Sequence, residues 1–325
     1  MGIDLSIVIV NWHSKAYLKA CLQSVFTQTH GLSLEVLVID SASFDGCDRM
    51  LAECYPDVRF IQSDVNLGFA KANNRAYDES SGDCVLFLNP DTEVMGPAIN
   101  VLHSALQTRP HAGIVGGTLL NTDRTLQSSC VLAVPTILNR LVDSDLLKAR
   151  WPRSALWGMA PLYEGAPDAR EVEAISGACL MVKRRVFDEV GKFSEDYFMY
   201  AEDVDLSHKV RSVGYQNYYV PDATIIHHGG SSSKESVSTF AAVMMPEATL
   251  RFFRKTRGSG YALLYRLGMC ASAVGRLIAL GFAVPVSLRN GRNAAWSASC
   301  LKWIAVLRWA LSRHALVEKY YPRSS

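Results

Sequence analysis

The sequence predicts an α/β fold with a mostly parallel, doubly wound central sheet, followed by a helical appendage of basic and apolar residues. Three observations predict it. Short apolar runs of strand length alternate with segments of helical spacing through the first half of the chain, as buried parallel strands with crossover helices require. Polar clusters sit where those runs end, at the carboxyl ends of strands, where open α/β sheets bind their ligands. The charge is also split. From Arg251 onward thirteen Lys or Arg stand against one acid, Glu318, a net +12, so the first 250 residues carry −10 of the overall +2. Such asymmetry predicts two parts with different partners, 1–245 and 246–325.

The elements follow in order. Leu5 to Val10 (LSIVIV) is the first strand, and Ser14 caps a helix carrying Leu18, Leu22, Val25 and Phe26 at helical spacing. Leu34 to Ile39 is the second strand, Cys47 to Cys54 a short helix and Val58 to Ile61 the third strand. Phe69 to Tyr77 is helical, and Cys84 to Leu88 (CVLFL) is the fourth strand. Pro110 to Gly117 adds another. Residues from about Thr118 to Arg170 have no periodicity and read as an excursion over the site, with no chemistry assigned. Strand character returns at Ile175 to Val182 around the small residues Gly177 and Ala178, which leave room for a substrate or pack tightly. Gly214 ends a helix and Tyr215 to Val220 is a short aromatic strand.

Several function classes are excluded. No G-x-G-x-x-G follows the first strand and no G-x-x-x-x-G-K-[ST] occurs, which removes dinucleotide dehydrogenases and P-loop NTPases. The eight cysteines are scattered without a C-x-x-C pair, so neither a zinc site nor a disulfide framework is expected, and a reducing compartment fits. Asp4 precedes an apolar run that ends at Asn11-Trp12-His13, unlike a signal peptide. Met1-Gly2 with Ser6 matches a myristoylation pattern, but a buried first strand would hide it.

The candidate site gathers from the strand ends. Asp40, directly after the second strand, can accept hydrogen bonds from a base edge or ribose, or can form an Asx-turn. Asp91, in Asn89-Pro90-Asp91, can bind a hard divalent cation or simply turn the chain. Asn66-Leu67-Gly68 follows the third strand, where Gly68 permits close backbone approach and Lys71 or Asn73 stands near for a phosphate or sugar. The stretch Tyr197 to Ser232 is central. It places Glu202, Asp203 and Asp205 at a helix start, where acids also suit the helix dipole, and a His227-His228 pair after a strand. Acids and imidazoles so placed suit one general base and one metal ligand.

SIVIVNWHS at 6–14, VIDSASFDG at 38–46, NLGFAKANN at 66–74, FLNPDTEV at 87–94, SGACLMVKR at 176–184, FMYAEDVDL at 198–206 and IIHHGGSSS at 225–233 together resemble the family 2 inverting glycosyltransferases of the GT-A fold. The likeness is greatest to the bacterial rhamnosyltransferase-like branch that builds surface polysaccharides. The resemblance implies that Asn11, Asp40, Asn66, Gly68, Lys71, Asn89 and Asp91 bind a nucleotide sugar, with Asp40 on the nucleobase or ribose. It implies Asp203 as general base with Glu202 its acidic neighbour, and Gly177 and Ala178 on the acceptor side. Asp91 and His227 become ligands of Mg²⁺ or Mn²⁺, His227 opening an H-x-x-G-x-S pattern with Gly230 and Ser232, and His228 its competitor. Here Asn-Pro-Asp stands where a D-x-D-type motif would carry two carboxylates. The implied donor is dTDP-L-rhamnose, with galactofuranosyl or another hexosyl donor as alternative, and the implied acceptor is a glycan on a polyprenyl diphosphate. A non-catalytic, membrane-bound nucleotide-sugar-binding protein is the rival from another class.

The basic tail sharpens the second part. Phe252-Phe253 lies among Arg251, Arg254, Lys255 and Arg257, as suits a headgroup layer. Leu267 to Leu288 is mostly apolar but holds Arg276, and an Arg at a bilayer centre costs at least about 2.5 kcal/mol. Ala294 to Leu311 carries Trp296, Trp303 and Trp309 with Lys302 and Arg308. Two basic, Trp-bearing helices lying in a membrane interface are the expectation, with packing on the catalytic domain or on a twin subunit, as a homo-oligomer, the alternative. Nucleic acid is not expected as a partner, because long apolar runs separate the basic residues. The expected location is cytoplasmic, peripheral on the inner face of a bacterial plasma membrane.

Overall fold

A computed structural model describes residues 2–165, 168–229, 237–282, 293–312 and 317–318. Gly230 and Ser232 of the expected histidine pattern, and Pro285 and Leu288 of the apolar tail, lie outside the described residues. The chain divides into two compact units: Met1–Val134 with Ser144–Glu195 and Glu202–Ser232, and Pro135–Asp143 with Asp196–Ala201 and Ser233–Ser325.

The first unit is built on a nine-stranded sheet. Its strands are β1 (Leu5–Asn11), β2 (Leu34–Ser41), β3 (Arg59–Ser63), β4 (Cys84–Leu88), β5 (Thr92–Met95), β6 (Ala112–Leu120), β8 (Arg170–Val172), β10 (Cys179–Lys183) and β11 (Gln216–His227). The two-residue strands β7 (Val131–Leu132) and β9 (Ala174–Ile175) pair separately. The order is β3-β2-β1-β4-β10-β6-β11-β5, with β8 beside β11. Six strands run one way; β10, β5 and β8 oppose them. The apolar runs become central strands: Leu5, Ile7, Val8 and Ile9 are fully buried, as is most of β4. Helix α1 (Lys15–Gln28) buries Leu18, Cys21, Leu22 and Val25, one face of a 3.6-residue period. Helices α2 (Cys47–Cys54), α3 (Gly68–Asp78) and α4 (Ala98–Thr108) complete the crossovers. The excursion is less irregular than expected, holding α5 (Ile137–Leu141) and α6 (Asp145–Arg150). Helix α7 (Arg184–Glu189) follows β10, and α8 (Glu202–Ser212) begins on acids and ends on Lys209 and Arg211, in accord with the helix dipole.

One strand departs from expectation in a way that matters. The aromatic strand expected to stop at Val220 continues to His227. Pro221 cannot donate to the ladder, and the β6–β11 register shifts between Val220 and Thr224. Beyond that bulge β11 also pairs antiparallel with β5, with His227 opposite Thr92. Gly117 accommodates the bulge: a Cβ there would lie 2.2 Å from the Ala223 carbonyl oxygen.

In the second unit, α9 (Val237–Phe282) packs with α10 (Asn293–Leu311). Gly258, at φ 84° and ψ 169°, interrupts α9 in a conformation only glycine adopts freely. Phe252 and Phe253, expected in a headgroup layer, are fully buried, and Trp309 is buried with its Nε1 donating to Glu247 Oε2 at 3.0 Å. Neighbouring arginines do not make an aromatic pair exposed when the helix turns the rings inward. Arg276, expected to obstruct an apolar helix, donates to the carbonyls of Leu141 (3.3 Å) and Asp143 (3.2 Å) and lies over the Trp303 ring. Arg266 likewise donates to Trp309, Ala310 and Ser312 carbonyls. Both cations satisfy carbonyls at helix ends.

Candidate active site

At the ends of β1 and β2, Asn11 and Asp40 are register partners, both fully buried. Asn11 Nδ2 donates to Asp40 Oδ1 at 2.8 Å and to Asp45 Oδ1 at 3.2 Å. The backbone N–H groups of Ser43 and Phe44 (both 3.0 Å) and Gln62 Nε2 (2.9 Å) donate to Asp40 Oδ2, and the Ser43 hydroxyl to Oδ1. Burial opposes ionisation of Asp40, but these donors together outweigh it and hold the carboxyl below its ordinary range. Asp40 therefore spends its lone pairs on the 41–45 turn, whereas Asn11 Oδ1 is a buried acceptor without a hydrogen bond. A cavity of about 950 Å³ opens here, lined among others by Lys15, Lys19, Asp40, Asp45, Arg49 and Gln62. Asp40, Asp45 and Cys47 have ligand atoms within 4.8 Å of one another. The Cys47 thiol, however, is pushed far up by burial and then by the charges of Asp40 and Asp45, and both carboxylates already accept from Asn11. Those donors fit a built turn better than a cation.

Asn66 Oδ1 accepts from the Gly68 N–H at 2.9 Å, and Ser41 Oγ from the Leu67 N–H at 2.9 Å, which ties the start of α3 to the end of β2. Gly68 has φ 71°, the left-handed region the turn requires. Lys71 is exposed on α3.

The bulge in β11 decides the histidines. His227 Nε2 lies 3.4 Å from Asp91 Oδ1 and 3.3 Å from Asn89 Nδ2. Its Nδ1 lies 2.7 Å from Gln127 Oε1, while Gln127 Nε2 donates to Asn121 Oδ1 at 3.1 Å. With Gln127 so oriented, Nδ1 carries the proton and Nε2 keeps its lone pair toward Asp91. His228 is engaged at both nitrogens, with Glu93 at 2.7 Å and Thr122 at 3.0 Å. Two ligand atoms at right angles on one Mg²⁺ or Mn²⁺ stand about 3 Å apart, so the Asp91–His227 pair, with its lone pair preset, fits a divalent cation.

Asp203 is linked to this cluster through the turn before β10. Its Oδ2 accepts from the Gly177 N–H at 3.0 Å, and the Ala178 carbonyl accepts from the Asn89 N–H at 3.0 Å. A Cβ on Gly177 would meet Phe69 Cζ at 3.2 Å and Asp203 Cβ at 3.5 Å. Glu202 is buried, with Oε2 unpaired; burial and then the adjacent Asp203 charge hold its carboxyl well above the ordinary range. Asp205 turns away, accepting from Ser194 Oγ at 2.5 Å. Strain collects at the ends of β1 and β2, where His13, Ala42 and Phe44 have positive φ without being glycine.

The structure thus joins Asp203, Gly177, Ala178, Asn89, Asp91 and His227 in one network, holds Asn11 and Asp40 in another, and leaves Lys71 outside both. Gln127, Gln62 and Ser43 were not anticipated. Gln62 stands opposite Asp40 in the β2–β3 register, a placement only strand register could foretell.

The model of the family described as Glycosyl transferase family 2 matches residues 6–191. The chain is 32% identical over 251 residues to an N-acetylglucosaminyl-diphospho-decaprenol L-rhamnosyltransferase of Mycobacterium tuberculosis, covering 73% of this chain and 80% of that protein. It is 22% identical over 242 residues to the rhamnosyltransferase WbbL of Escherichia coli, covering 71% and 86%. Among solved structures it resembles the mannosyltransferase PcManGT from Pyrobaculum calidifontis, in complex with GDP-Man and Mn²⁺. The TM-score is 0.58 at 19% identity, over 96% of this chain and 88% of that one. That likeness is one of fold, and the fold is GT-A.

Proposed function

Since the chain belongs to glycosyl transferase family 2, we propose that this glycosyltransferase moves L-rhamnose from dTDP-rhamnose, with inversion, onto a lipid-linked glycan. The acceptor is a GlcNAc-diphosphate-polyprenol intermediate of surface polysaccharide synthesis, met at the cytoplasmic face of the membrane. Donor and acceptor follow the M. tuberculosis relative, whose name states both the sugar moved and the lipid acceptor. The observation that carries the chemistry is the hydrogen-bonded path from Asp203 through Gly177 and Ala178 to Asn89 and His227, whose Nε2 stands 3.4 Å from Asp91 Oδ1.

Inverting transfer is one displacement at the anomeric carbon, so a base must face the acceptor hydroxyl from the side opposite the leaving diphosphate. Asp203 takes that proton; the Gly177 N–H fixes its Oδ2, and the bare Gly177 lets Phe69 and Asp203 pack closely against the turn. Glu202, its carboxyl held well above the ordinary range by burial and then by the Asp203 charge, stands as its neighbour at the helix start. Asp91 and His227 would hold Mg²⁺ or Mn²⁺, which when bound neutralises charge developing on the departing diphosphate. Asp40 lines the cavity that receives the nucleoside, and Asn11 holds the turn beside it through Asp40 and Asp45.

The test is a turnover screen with dTDP-rhamnose, UDP-galactofuranose, UDP-glucose and GDP-mannose on a GlcNAc-diphospholipid, with either metal or with EDTA. We expect product from dTDP-rhamnose, lost with EDTA, and a kcat about 10²–10⁴-fold lower in Asp203→Asn with donor binding intact. Product from another donor would overturn the sugar. A variant as active as the parent would remove Asp203 from the base role, and donor binding without turnover in the parent would favour a binding protein.

A further inference from the structure

The second half of α9 has an unusual surface. From Leu263 to Phe282 every exposed position is apolar or glycine, and Leu263, Leu264, Leu267, Val274, Ile278 and Phe282 are each more than 40% exposed. Leu263, Leu267, Val274, Ile278 and Phe282 recur every three or four residues or at their multiples, so they share one helix face. That face is roughly 28 Å long at 1.5 Å per residue. The two arginines within the stretch do not interrupt it, because Arg266 and Arg276 bond backbone carbonyls of α10 and of the segment around α5. By length and composition Thr239–Phe282 holds a window apolar enough to cross a membrane, with mean hydropathy 1.4, and only 17% of it is buried.

We propose that this face of α9 lies in the plane of an anionic lipid surface, its leucines and Phe282 seated below the headgroups. Charge selects this occupant: the chain from Arg251 onward is net +12, and Lys302 and Arg308 are exposed on α10. The same residues decide for lying on the bilayer over crossing it. Lys302 stands midway along α10, where a hairpin spanning the membrane would place its ammonium in hydrocarbon; an in-plane helix leaves it among phosphates. Phe252, Phe253 and Trp309 take no part, since they are buried. The inference rests on the proposed lipid-linked acceptor for its purpose: the enzyme would be held where its acceptor is.

The full chain is sedimented with vesicles of phosphatidylcholine alone or with about one-third phosphatidylglycerol, in low and high salt. We expect binding to the anionic vesicles, weakened by salt, and at least about a tenfold loss in Leu267→Glu/Ile278→Glu. Both positions are exposed, so the fold should persist, as circular dichroism would check; Leu146→Glu, on another exposed position, should bind as the parent does. Lys302→Gln/Arg308→Gln should lose affinity for anionic vesicles selectively. Equal binding by parent and Leu267→Glu/Ile278→Glu would overturn the proposal. So would a lipid-free dimer, by analytical ultracentrifugation, that the double variant dissolves while vesicle binding is unchanged; the face would then meet a second copy. Turnover on a short-chain, water-soluble acceptor separates the two readings. It should survive in the double variant, and its absence in the parent would defeat the glycosyl-transfer proposal without touching vesicle binding.

Discussion

The carboxylates and the imidazole of the site are set by neighbours that do no chemistry themselves. Gln127 decides which nitrogen of His227 bears the proton, and outer partners of metal-binding histidines commonly govern affinity about 10–100-fold. Gln127→Leu is therefore expected to weaken Mn²⁺ binding by that order in calorimetry, whereas Thr122→Val, beside His228, should leave it unchanged. Glu202 supplies a pH signature. Its folded-state value lies well above the ordinary 4.5. The unfolded chain therefore releases this proton as pH rises past 4.5 while the folded chain keeps it, and stability falls over that range. Glu202→Gln mimics the neutral acid and should escape that fall. Chemical denaturation should give the two proteins parallel stabilities below pH 4.5, with the variant gaining on the parent from there upward. Asp40 acts in the opposite sense: its lowered value stabilises the fold above 3.8 and ceases to do so as acid protonates it.

Among the elements, the bulged strand β11 matters most, because beyond its bulge it runs between β6 and β5 and brings His227 opposite Thr92, beside Asp91. Gly117→Ala would drive a Cβ to 2.2 Å from the Ala223 oxygen, a backbone atom that cannot rotate aside. We expect a loss of about 1–3 kcal/mol in urea denaturation, with weaker Mn²⁺ binding as His227 is displaced. The sequence reveals this strand only in part. Its aromatic half is visible in Tyr218 and Tyr219, but Pro221 reads as a stop, and nothing local says that the chain resumes pairing with β6 and gains β5 as a second neighbour. β1, β2 and β4 were legible because strands covered on both faces are continuously apolar, and so were the polar clusters at their ends. Gln127 was hidden for the converse reason: it lies in a stretch without periodicity, and its partner is 100 residues away. Phe252 and Phe253 misled because composition shows the company a residue keeps along the chain, while the helix decides which way it points.

At the scale of the molecule, a negative catalytic unit and a positive helical one share a chain. In the helical unit Gly258 has a mechanical consequence. A continuous helix transmits rotation: one residue added anywhere advances everything beyond it by about 100°. The non-helical φ and ψ of Gly258 reset that phase, so the azimuth of Leu263 to Phe282 is set by its own anchors, Arg266 and Arg276, and not by the turns before it. An alanine inserted beside Gly258 should be taken up at the joint and leave vesicle sedimentation as it was. The same alanine inserted after Cys270 should rotate Arg276 off its carbonyls and Ile278 and Phe282 off the common face, and vesicle binding should fall. The glycine thus works as a clutch, letting the length of the first helical segment drift while the exposed apolar edge of the second stays in register.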